Sequence, residues 1–485
     1  MKFKAKIGST LLHLAILCAC MKSPDHRANV ILISMDTLRM DHMGTYGYSR
    51  ATTPKLDRFA RRCIVFDRAY TQASHTLPAH TSIMTSLYPD THGVLKMEDA
   101  LTANVKTLAE LLAQRGYETA AFVNTGWLDP KFDLNRGFEI YDFYHDQGQK
   151  QGQVRHQYGR NAEETNRTVF SWLAHPPKEP FFLFVHYFDI HSDWKRLPYD
   201  APPPYGNMFT GDYKGNFSGG EGGIFASQYL QKMNKEGKHF EEDDRKYIES
   251  LYDGGIAYTD EQVGELLQRL EKSKLLGRSI VIIVSDHGEE FQEHGMVLHE
   301  QVYEELVHVP WIMKLPKDPW YSLHNLISKI RFQTSSGLQK KALPQRIGAP
   351  VQLIDLMPTV LDYLNIKWPE YVQGRSLKGL IKGKEPADTA IYSRNISGSQ
   401  YSIMEGRWKL VYKYPDGEKQ LFDLGTDPHE TKDLSQAEID RSALLEKHFL
   451  AWFKTVKQAG NAFRSHKKEI DKKTREDLKS LGYIQ

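Results

Sequence analysis

Continuous apolar runs of five to seven residues alternate with amphipathic stretches along most of the chain. The runs are rich in β-branched residues, which predicts strands buried on both faces of a sheet. We place these strands at 29–34, 119–123, 181–187, 279–285 and 310–315. Helical patterns lie around them at 78–87, 104–115 (with Asn104 as N-cap), 161–173, 243–272 and 351–364. Strands alternating with helices predict an α/β fold with a large, mostly parallel central sheet.

The pattern changes near Lys384. Short strand patterns follow at 389–392, 401–405, 408–412 and 420–423, and a helical pattern closes the unit. These features predict a small antiparallel C-terminal subdomain, so we divide the chain at 384/385 into a main domain and an α+β subdomain with a tail. The tail at 466–479 is rich in both charges and is predicted to form a solvated helix.

A proline- and glycine-rich stretch at 198–223 interrupts the main domain. Long irregular segments within compact domains are usually functional or disordered, and we predict a loop at the mouth of a site. Its aromatic residues Tyr205, Phe209 and Tyr213 are placed either to stack on the ring of a substrate or to pack the loop onto the body of the protein.

The N-terminus has the pattern of a secretory signal. Lys2, Lys4 and Lys6 precede an apolar run at 11–19 that is too short to span a bilayer. The sequence Leu17-Cys18-Ala19-Cys20 resembles a bacterial lipoprotein box, with cleavage after residue 19 and lipid on the sulfur of Cys20. The alternative is an ordinary cleaved signal in which Cys20 is incidental. We therefore predict an extracytoplasmic protein of the bacterial envelope, lipid-anchored to the membrane through a tether at 20–28.

Composition narrows the chemistry. The 485 residues include 63 Lys and Arg against 61 Asp and Glu, for a formal charge of +2. This near balance gives no support for nucleic acid as the main partner, and no nucleic-acid binding is expected. Three cysteines cannot build a disulfide framework and lack the spacing of a zinc ribbon. A metal in this protein must therefore be held by histidines and carboxylates.

Polar side chains follow four of the predicted strands. In open α/β sheets, ligands bind beyond the carboxyl ends of the strands, so these side chains mark a candidate site. A single Asp at such a place is most often a turn or cap residue, but the combined pattern is harder to explain in that way. The residues are Asp36, Asn124, Asp189, His191, Asp286 and His287.

Thr76 lies at the start of the helical stretch that contains Pro78 and His80. Free N–H groups and the positive end of the dipole make a helix N-terminus favourable for an oxyanion. Thr76 is thus either a plain N-cap or part of an anion site.

Ordered motifs give the sequence a family resemblance. The opening motif of the sulfatase family is similar to MDTLRMDH at 35–42, and its nucleophile signature is similar to TLPAHTSIMTSLYPDTHG at 76–93. Further blocks follow in the family's order at 285–288, 303–310, 406–411 and 421–428, so that the resemblance covers about 29–434. It implies a sandwich like that of alkaline phosphatase, with 29–384 as the catalytic domain.

Five positions depart from the sulfatase pattern. Thr76 stands where sulfatases have the Cys or Ser that becomes formylglycine, and threonine cannot be converted in this way. His80 replaces an Arg, Thr37 replaces the second Asp of the opening motif, His287 replaces an Asn, and His299 replaces a Lys. Nitrogen ligands suit zinc or manganese better than a single calcium.

These departures resemble the nucleotide pyrophosphatases of the same superfamily, which use a Thr nucleophile and two metals. The resemblance implies one metal on Asp36, Thr76, Asp286 and His287. It implies a second on Asp189, His191 and His299, where the alternatives are a loop histidine at 191 and a helix-capping one at 299.

We therefore predict a metal-dependent hydrolase that cleaves phosphate mono- or diesters of small molecules or envelope components through a phospho-Thr76 intermediate. Asn124 is either a donor to a phosphoryl oxygen or a turn residue, and His75 and His294 are candidates for contacts with the leaving group or substrate. Two cationic metals favour phosphate over the less charged sulfate. Three alternative functions stay open: a sulfuric ester hydrolase without formylglycine, a phosphoethanolamine-type transferase, and a non-catalytic binding protein. The alternative to two zinc or manganese ions is one calcium ion.

Overall fold

The computed structural model describes residues 27–143, 160–175, 177–192, 197–215, 217–219, 226–316, 345–384, 389–463 and 465–468. The strands of this part of the chain are β1 (Asn29–Met35), β2 (Ile64–Tyr70), β3 (Asp99–Ala100), β4 (Glu118–Val123), β5 (Ile140–Phe143), β6 (Phe181–Tyr187), β7 (Ser279–Val284), β8 (Glu290–Phe291), β9 (Val297–Leu298), β10 (His308–Lys314), β11 (Gln345–Ile347), β12 (Val351–Gln352), β13 (Ile391–Arg394), β14 (Gln400–Glu405), β15 (Trp408–Lys413), β16 (Lys419–Asp423) and β17 (His466–Lys467).

The α-helices of the described residues are α1 (Pro54–Ala60), α2 (Thr76–Thr85), α3 (Pro89–His92), α4 (Leu108–Ala113), α5 (Ala162–Ala174), α6 (Ala226–Glu236), α7 (Glu242–Lys272), α8 (Glu304–Val307), α9 (Leu356–Tyr363), α10 (Lys378–Ile381) and α11 (Ile439–Gly460). Short 3₁₀ turns occur at Met40–His42, Gly44–Tyr46, Gly126–Leu128, Pro130–Phe132, Tyr205–Asn207, Leu276–Arg278 and Leu353–Asp355.

The main sheet has the strand order β11-β2-β10-β7-β1-β6-β4-β5, and β12 also pairs with β2. Neighbouring strands run parallel except at β10, which is antiparallel to both β2 and β7. In the centre, Met35 of β1 lies opposite Tyr187 of β6, and Ser34 lies opposite Val284 of β7. The predicted mostly parallel sheet is confirmed, and three central strands end at the same edge.

Helices cover both faces of this sheet. Along β1, Val30 and Leu32 pack in the same cluster as Leu77 of α2, whereas Ile31 and Ile33 pack with helices on the other side. The second cluster includes Ile248 of α7. Because successive side chains of a strand point to opposite faces, one apolar run supplies both cores. The alkaline phosphatase-like sandwich that was predicted is therefore present.

A separate antiparallel sheet has the order β13-β14-β15-β16. Helix α11 packs on it through Phe449, which shares a buried cluster with Tyr401 and Leu410. This arrangement confirms the small C-terminal antiparallel subdomain and its closing helix.

Several element boundaries differ from the predictions. The helix predicted from residue 104 begins at Leu108, because the Thr107 side chain caps the N–H of Glu110 and the Glu110 side chain caps that of Thr107. The predicted helix at 351–364 begins as β12, because Val351 pairs with Ala69 of β2. The helix predicted for the tail is wrong at His466 and Lys467, which form a short strand paired with β3. Residues 469–479 of the tail lie outside the described residues.

The loop at 198–223 packs against α7 where it is described. Tyr213 stacks on Tyr247 with ring centroids 3.8 Å apart, and its hydroxyl donates to Asp244. Tyr205 packs against Tyr258 at 5.5 Å. These two rings hold the loop on the body of the protein. Residues 216 and 220–223 lie outside the described part.

The predicted signal peptide, Cys20 and residues 21–26 of the tether also lie outside the described residues. Across the part that is described, none of the helices is both long enough and apolar enough to cross a membrane.

Candidate active site

Three buried ligand groups meet at the carboxyl edge of the main sheet. Asp36 follows β1, and Asp286 and His287 follow β7, which is the hydrogen-bonded neighbour of β1. Ligand atoms of these three residues lie within 4.8 Å of one another, and all three residues are fully buried. His287 Nε2 lies 3.7 Å from Asp36 Oδ1 and 3.5 Å from Asp286 Oδ2. The strand-end pattern in the sequence therefore brings them together as predicted.

The carboxylates of this cluster fit a metal ion. Asp36 Oδ1 and Asp286 Oδ2 are buried and make no hydrogen bond. Buried charged oxygens without partners are costly unless a cation compensates them. One imidazole nitrogen and two carboxylates form a donor set that suits zinc or manganese. Asp36, Asp286 and His287 are thus able to hold a divalent ion.

The Thr76 hydroxyl lies at this cluster. Thr76 is the first residue of α2 and is 1% exposed. Its Oγ1 lies 3.4 Å from Asp36 Oδ2 and 3.3 Å from His287 Nε2. The N-cap of α2 is His75, whose side chain makes no capping hydrogen bond, so the plain N-cap alternative for Thr76 is excluded. Pro78 has no N–H and the N–H of Ala79 donates to the carbonyl of His75, so the first turn leaves the N–H groups of Thr76 and Leu77 for an oxyanion.

His287 is oriented as a metal-ligating histidine usually is. Its Nδ1 lies 2.9 Å from the carbonyl oxygen of Gly288, so Nδ1 carries the proton and donates it there. Nε2 is left with its lone pair facing Thr76 and the two carboxylates. This pattern, in which the second ring nitrogen donates to a carbonyl, is typical of ligating histidines.

Charge in the cluster is divided unequally between the two carboxyl groups. Burial and the neighbouring Asp286 raise the pKa of Asp36 to about 7. Burial also acts to raise the pKa of Asp286, but His287, His80 and His186 outweigh it and lower the net value. Burial lowers the pKa of His287, which keeps the imidazole neutral.

Sequence reasoning missed His186, which lies inside β6. Its Nε2 is 3.1 Å from Asp36 Oδ2, and its Nδ1 is 3.0 Å from Asn124 Oδ1. Asn124 Nδ2 donates to the carbonyl of Arg160, so Oδ1 is the atom that accepts from His186. The missed signal was a single His in an otherwise apolar strand. Donation from Asn124 to a substrate oxygen stays a prediction.

His80 also reaches the cluster. Its Nδ1 donates to the carbonyl of Thr76 at 2.9 Å and lies 3.4 Å from Asp286 Oδ2, while Nε2 accepts from Ser34 Oγ at 3.0 Å. Burial lowers its pKa. A neutral imidazole here holds the first turn of α2 against β1.

Three more histidines line one side of the cluster. His299 lies 4.6 Å from His287, 5.1 Å from His191 and 5.6 Å from His75, measured between ring centroids. His299 Nδ1 contacts Glu289 Oε1 at 3.3 Å. Burial acts to lower the pKa of His299, but Glu289 outweighs it and the net shift is upward. His299 is therefore suited to carry a proton, and Glu289 is a site residue that the sequence analysis missed.

The structure does not gather the second predicted metal set. Asp189 Oδ1 accepts the backbone N–H of Ala162 at 3.0 Å, at the start of α5. His191, by contrast, lies beside His299, which in turn lies beside His287. The three side chains are absent from the metal-capable groups of the described residues. A second metal on Asp189, His191 and His299 stays a prediction.

Two family models match the chain. The model "Sulfatase" matches residues 28–366, and "N-sulphoglucosamine sulphohydrolase, C-terminal" matches residues 292–449. Among characterised relatives, an arylsulfatase of Clostridium perfringens is 26% identical, with 85% of this chain and 91% of the relative covered. A Δ4,5-hexuronate-2-O-sulfatase of Bacteroides thetaiotaomicron is 23% identical, with 95% of each covered.

Solved structures share the fold. A phosphonate monoester hydrolase of Agrobacterium radiobacter matches with a TM-score of 0.67 and 21% identity, over 89% of this chain and 96% of that one. A protein solved with its substrate D-glucosamine-2-N,6-O-disulfate matches with a TM-score of 0.67 and 20% identity, over 90% and 98%. The match of the first family model over most of the chain makes this protein a hydrolase of the sulfatase family, in the alkaline phosphatase-like superfamily.

Proposed function

We propose that this protein hydrolyses sulfate monoesters, with the Thr76 hydroxyl as nucleophile and one divalent metal ion held by Asp36, Asp286 and His287. The observation that carries the proposal is the position of Thr76 Oγ1, within 3.4 Å of both Asp36 Oδ2 and His287 Nε2. A hydroxyl this close to an unsatisfied carboxylate pair, at a helix N-terminus, is placed to be activated for attack.

Net charge supports a singly charged substrate. A divalent ion at Asp36 and Asp286 is balanced by their two carboxylates. Such a site lacks the excess positive charge that favours a dianionic phosphate monoester over a monoanionic sulfate ester. The sulfatase names of the relatives support the same choice. The sequence by itself favours phosphate esters over sulfate esters, because it predicts two metal ions at the site.

The chain's own groups account for the proton transfers. When bound, a divalent ion lowers the pKa of a coordinated hydroxyl and withdraws charge from the ester oxygens. Thr76 gives its proton to Asp36 Oδ2, and its oxygen attacks sulfur. The new bond is Thr76 Oγ1–S, and the bond that breaks joins sulfur to the alcohol oxygen. His299, whose pKa Glu289 raises, donates a proton to the departing alcohol.

Water completes the cycle: it gives a proton to the now neutral His299 and attacks the sulfur of the sulfo-threonine. The Thr76 oxygen leaves and recovers a proton from Asp36, and sulfate is released. The free N–H groups of the first turn of α2 and its dipole stabilise the negative oxygens in both steps.

A phosphonate or phosphate ester is the second candidate substrate. Thr76 itself favours it, because an unmodified hydroxyl forms a phosphoester that water readily cleaves, whereas sulfatases of the common type rely on a formylglycine. The same residues would serve in the same roles.

A substrate panel separates the candidates. Purified, metal-loaded protein is assayed with 4-nitrophenyl sulfate, glucosamine 6-sulfate, a 4-nitrophenyl phosphonate monoester and 4-nitrophenyl phosphate. We expect the highest kcat/KM for a sulfate ester, and a loss of ~10³-fold or more in an Asp286→Asn variant prepared in parallel. Preference for the phosphonate ester would select the second candidate, and an unchanged kcat/KM in Asp286→Asn would contradict both.

We also propose that the protein works outside the cytoplasm, anchored by lipid on Cys20. The lysines and apolar run before Cys20 support this location. Fractionation of cells that express the wild type and Cys20→Ala tests it: the wild type is expected in the membrane fraction, and the variant is not. Equal distribution of both would contradict the anchor.

A further inference from the structure

A second group of potential ligands shares no residue with the cluster at Thr76. His294 precedes β9, Glu305 is in α8, and Glu430 follows β16 of the C-terminal sheet. Their ligand atoms lie within 4.8 Å of one another. The side chains of His294 and Glu305 are 10% and 3% exposed, and that of Glu430 is fully buried. Residues from both parts of the fold thus converge on one buried point.

The atoms that converge are poorly satisfied. His294 Nε2 and Glu305 Oε2 are buried without a hydrogen bond, and they approach each other only to 3.4 Å. Glu430 Oε1 makes an ion contact with Lys409 Nζ at 2.9 Å. An oxygen of a carboxylate can serve a second partner besides an ammonium. Glu305 Oε2 in particular is a buried carboxylate oxygen that points into the group and receives no hydrogen bond.

Several carboxyl groups lie around this point, and one ammonium serves two of them. Lys409 is shared between Glu430 and Glu304, with its Nζ 2.9 Å from Glu304 Oε1. Glu290, whose Oε2 also lacks a hydrogen bond, adds another buried carboxyl.

Other contacts hold the ligand atoms in place. The His294 ring stacks on Tyr303 with centroids 3.7 Å apart and planes 13° from parallel. The backbone carbonyl of His294 accepts from Gln301 Nε2 at 3.2 Å. Glu430 Oε2 accepts the N–H of Glu304 at 2.6 Å, which leaves Oε1 facing the group. The geometry is therefore fixed by residues that are not themselves ligands.

We propose that His294, Glu305 and Glu430 bind a structural zinc ion that joins the catalytic part of the chain to the C-terminal sheet. One imidazole nitrogen and two carboxylate oxygens match the ligand types that zinc takes, and the His argues against calcium or magnesium. The site is separate from the cluster at Thr76 and does not depend on the proposed reaction. Binding there stabilises the folded state, because the site does not exist in the unfolded chain.

Zinc stoichiometry tests the site in the full chain. The protein is saturated with zinc, freed of excess by gel filtration, and analysed by elemental mass spectrometry. An Asp286→Asn variant, which disables the catalytic cluster, is expected to retain about one zinc per chain. The double variant Asp286→Asn/Glu305→Gln is expected to retain none, and zinc is expected to raise the Tm of the single variant but not of the double variant.

Two further samples keep the outcome unambiguous. His448→Gln in the Asp286→Asn background removes an exposed histidine that pairs with Glu405, and it should leave the zinc count unchanged. If the double variant does not fold, cobalt added to Asp286→Asn alone should give a visible absorption band that zinc abolishes. Absence of zinc and of the cobalt band in Asp286→Asn, or an unchanged zinc count in the double variant, would overturn the proposal. Failure of sulfate ester turnover would leave these counts untouched and would count against the proposed function only.

Discussion

Two histidine–carboxylate groups of similar composition are built by different means in this protein. The catalytic group takes its ligands from the ends of β1 and β7, which pair directly in the main sheet. The second group takes His294 and Glu305 from segments around β9 and α8, and Glu430 from beyond the C-terminal sheet. The first is therefore fixed by strand register, and the second by the packing of one subdomain on the other.

The neighbours of the two groups also differ. The Thr76 hydroxyl, at the first turn of α2, and the imidazoles of His80 and His186 lie beside the catalytic group. Lys409 and the Tyr303 ring surround the second group, where the ammonium contacts Glu430 and the ring stacks on His294. We therefore expect similar ligands to support chemistry in one place and cohesion in the other, because different residues pack beside them.

The largest effect of a substitution is expected for Asp286→Asn, on the rate of ester hydrolysis. Loss of a ligand carboxylate weakens the metal site, and we expect kcat/KM to fall by ~10³-fold or more, since bound metal supplies several kcal/mol of transition-state stabilisation. The matched control is Asp362→Asn, which alters a partly exposed carboxylate that contacts Lys378 Nζ at 2.9 Å. Steady-state kinetics give kcat/KM for both variants. Equal losses of kcat/KM in Asp286→Asn and Asp362→Asn would contradict a special role for the Asp286 carboxylate.

The cohesive role of the second region is tested by Lys409→Met. The Lys409 side chain is 1% exposed and contacts both Glu304 and Glu430. Its removal leaves two buried carboxylates without their ammonium, and we expect the free energy of unfolding to drop by about 3–5 kcal/mol. Urea denaturation measures this change.

Lys413→Met is the matched control on the same strand. Its pair with Glu418 is 53% and 66% exposed, so the loss should be at most about 1 kcal/mol. A similar small effect for Lys409→Met would contradict the idea that this buried region holds the subdomains together.

Asn124→Ala is expected to affect the catalytic group alone. The amide of Asn124 fixes the His186 ring that contacts Asp36, and loss of such a supporting contact should lower activity or metal affinity by about 10–100-fold. Asn124→Asp keeps an oxygen that can accept from His186 Nδ1 but sets its second oxygen against the carbonyl of Arg160, so it should restore only part of the loss. Metal titration distinguishes weaker metal binding from a slower reaction. If Asn124→Ala matches the wild type in both, His186 is not positioned through Asn124.

The smallest effect is expected at an exposed pair of the same chemistry. His448 Nδ1 lies 2.9 Å from Glu405 Oε1, and these side chains are 41% and 36% exposed. Water screens such a pair, so His448→Gln should change the free energy of unfolding by less than about 1 kcal/mol. Thermal melts of the wild type and His448→Gln, with and without zinc, check this. If zinc raised the Tm of the wild type but not of His448→Gln, the structural zinc site would lie at His448 and not at His294.

Residues at strand ends were predictable because a parallel sheet brings its carboxyl ends to one edge. Asp36, Asp286 and His287 follow apolar runs that were recognisable as strands, and Thr76 was marked by its place in a family motif. His186 was hidden inside an apolar run, and Glu289 lies three residues past Asp286 with nothing local to mark it. Asp189 satisfied the strand-end rule but caps α5, since the rule does not specify which neighbour a carboxylate meets.

The central claim is that the Thr76 hydroxyl is the nucleophile. Its most direct test compares kcat/KM for the preferred ester among wild type, Thr76→Ser, Thr76→Ala and Thr85→Ala, with Thr85 as a buried threonine of the same helix whose hydroxyl donates to the carbonyl of Thr81. We expect a loss of ~10³-fold or more for Thr76→Ala, substantial activity for Thr76→Ser, and near wild-type activity for Thr85→Ala. Retention of activity by Thr76→Ala with its metal bound would show that Thr76 is not the nucleophile.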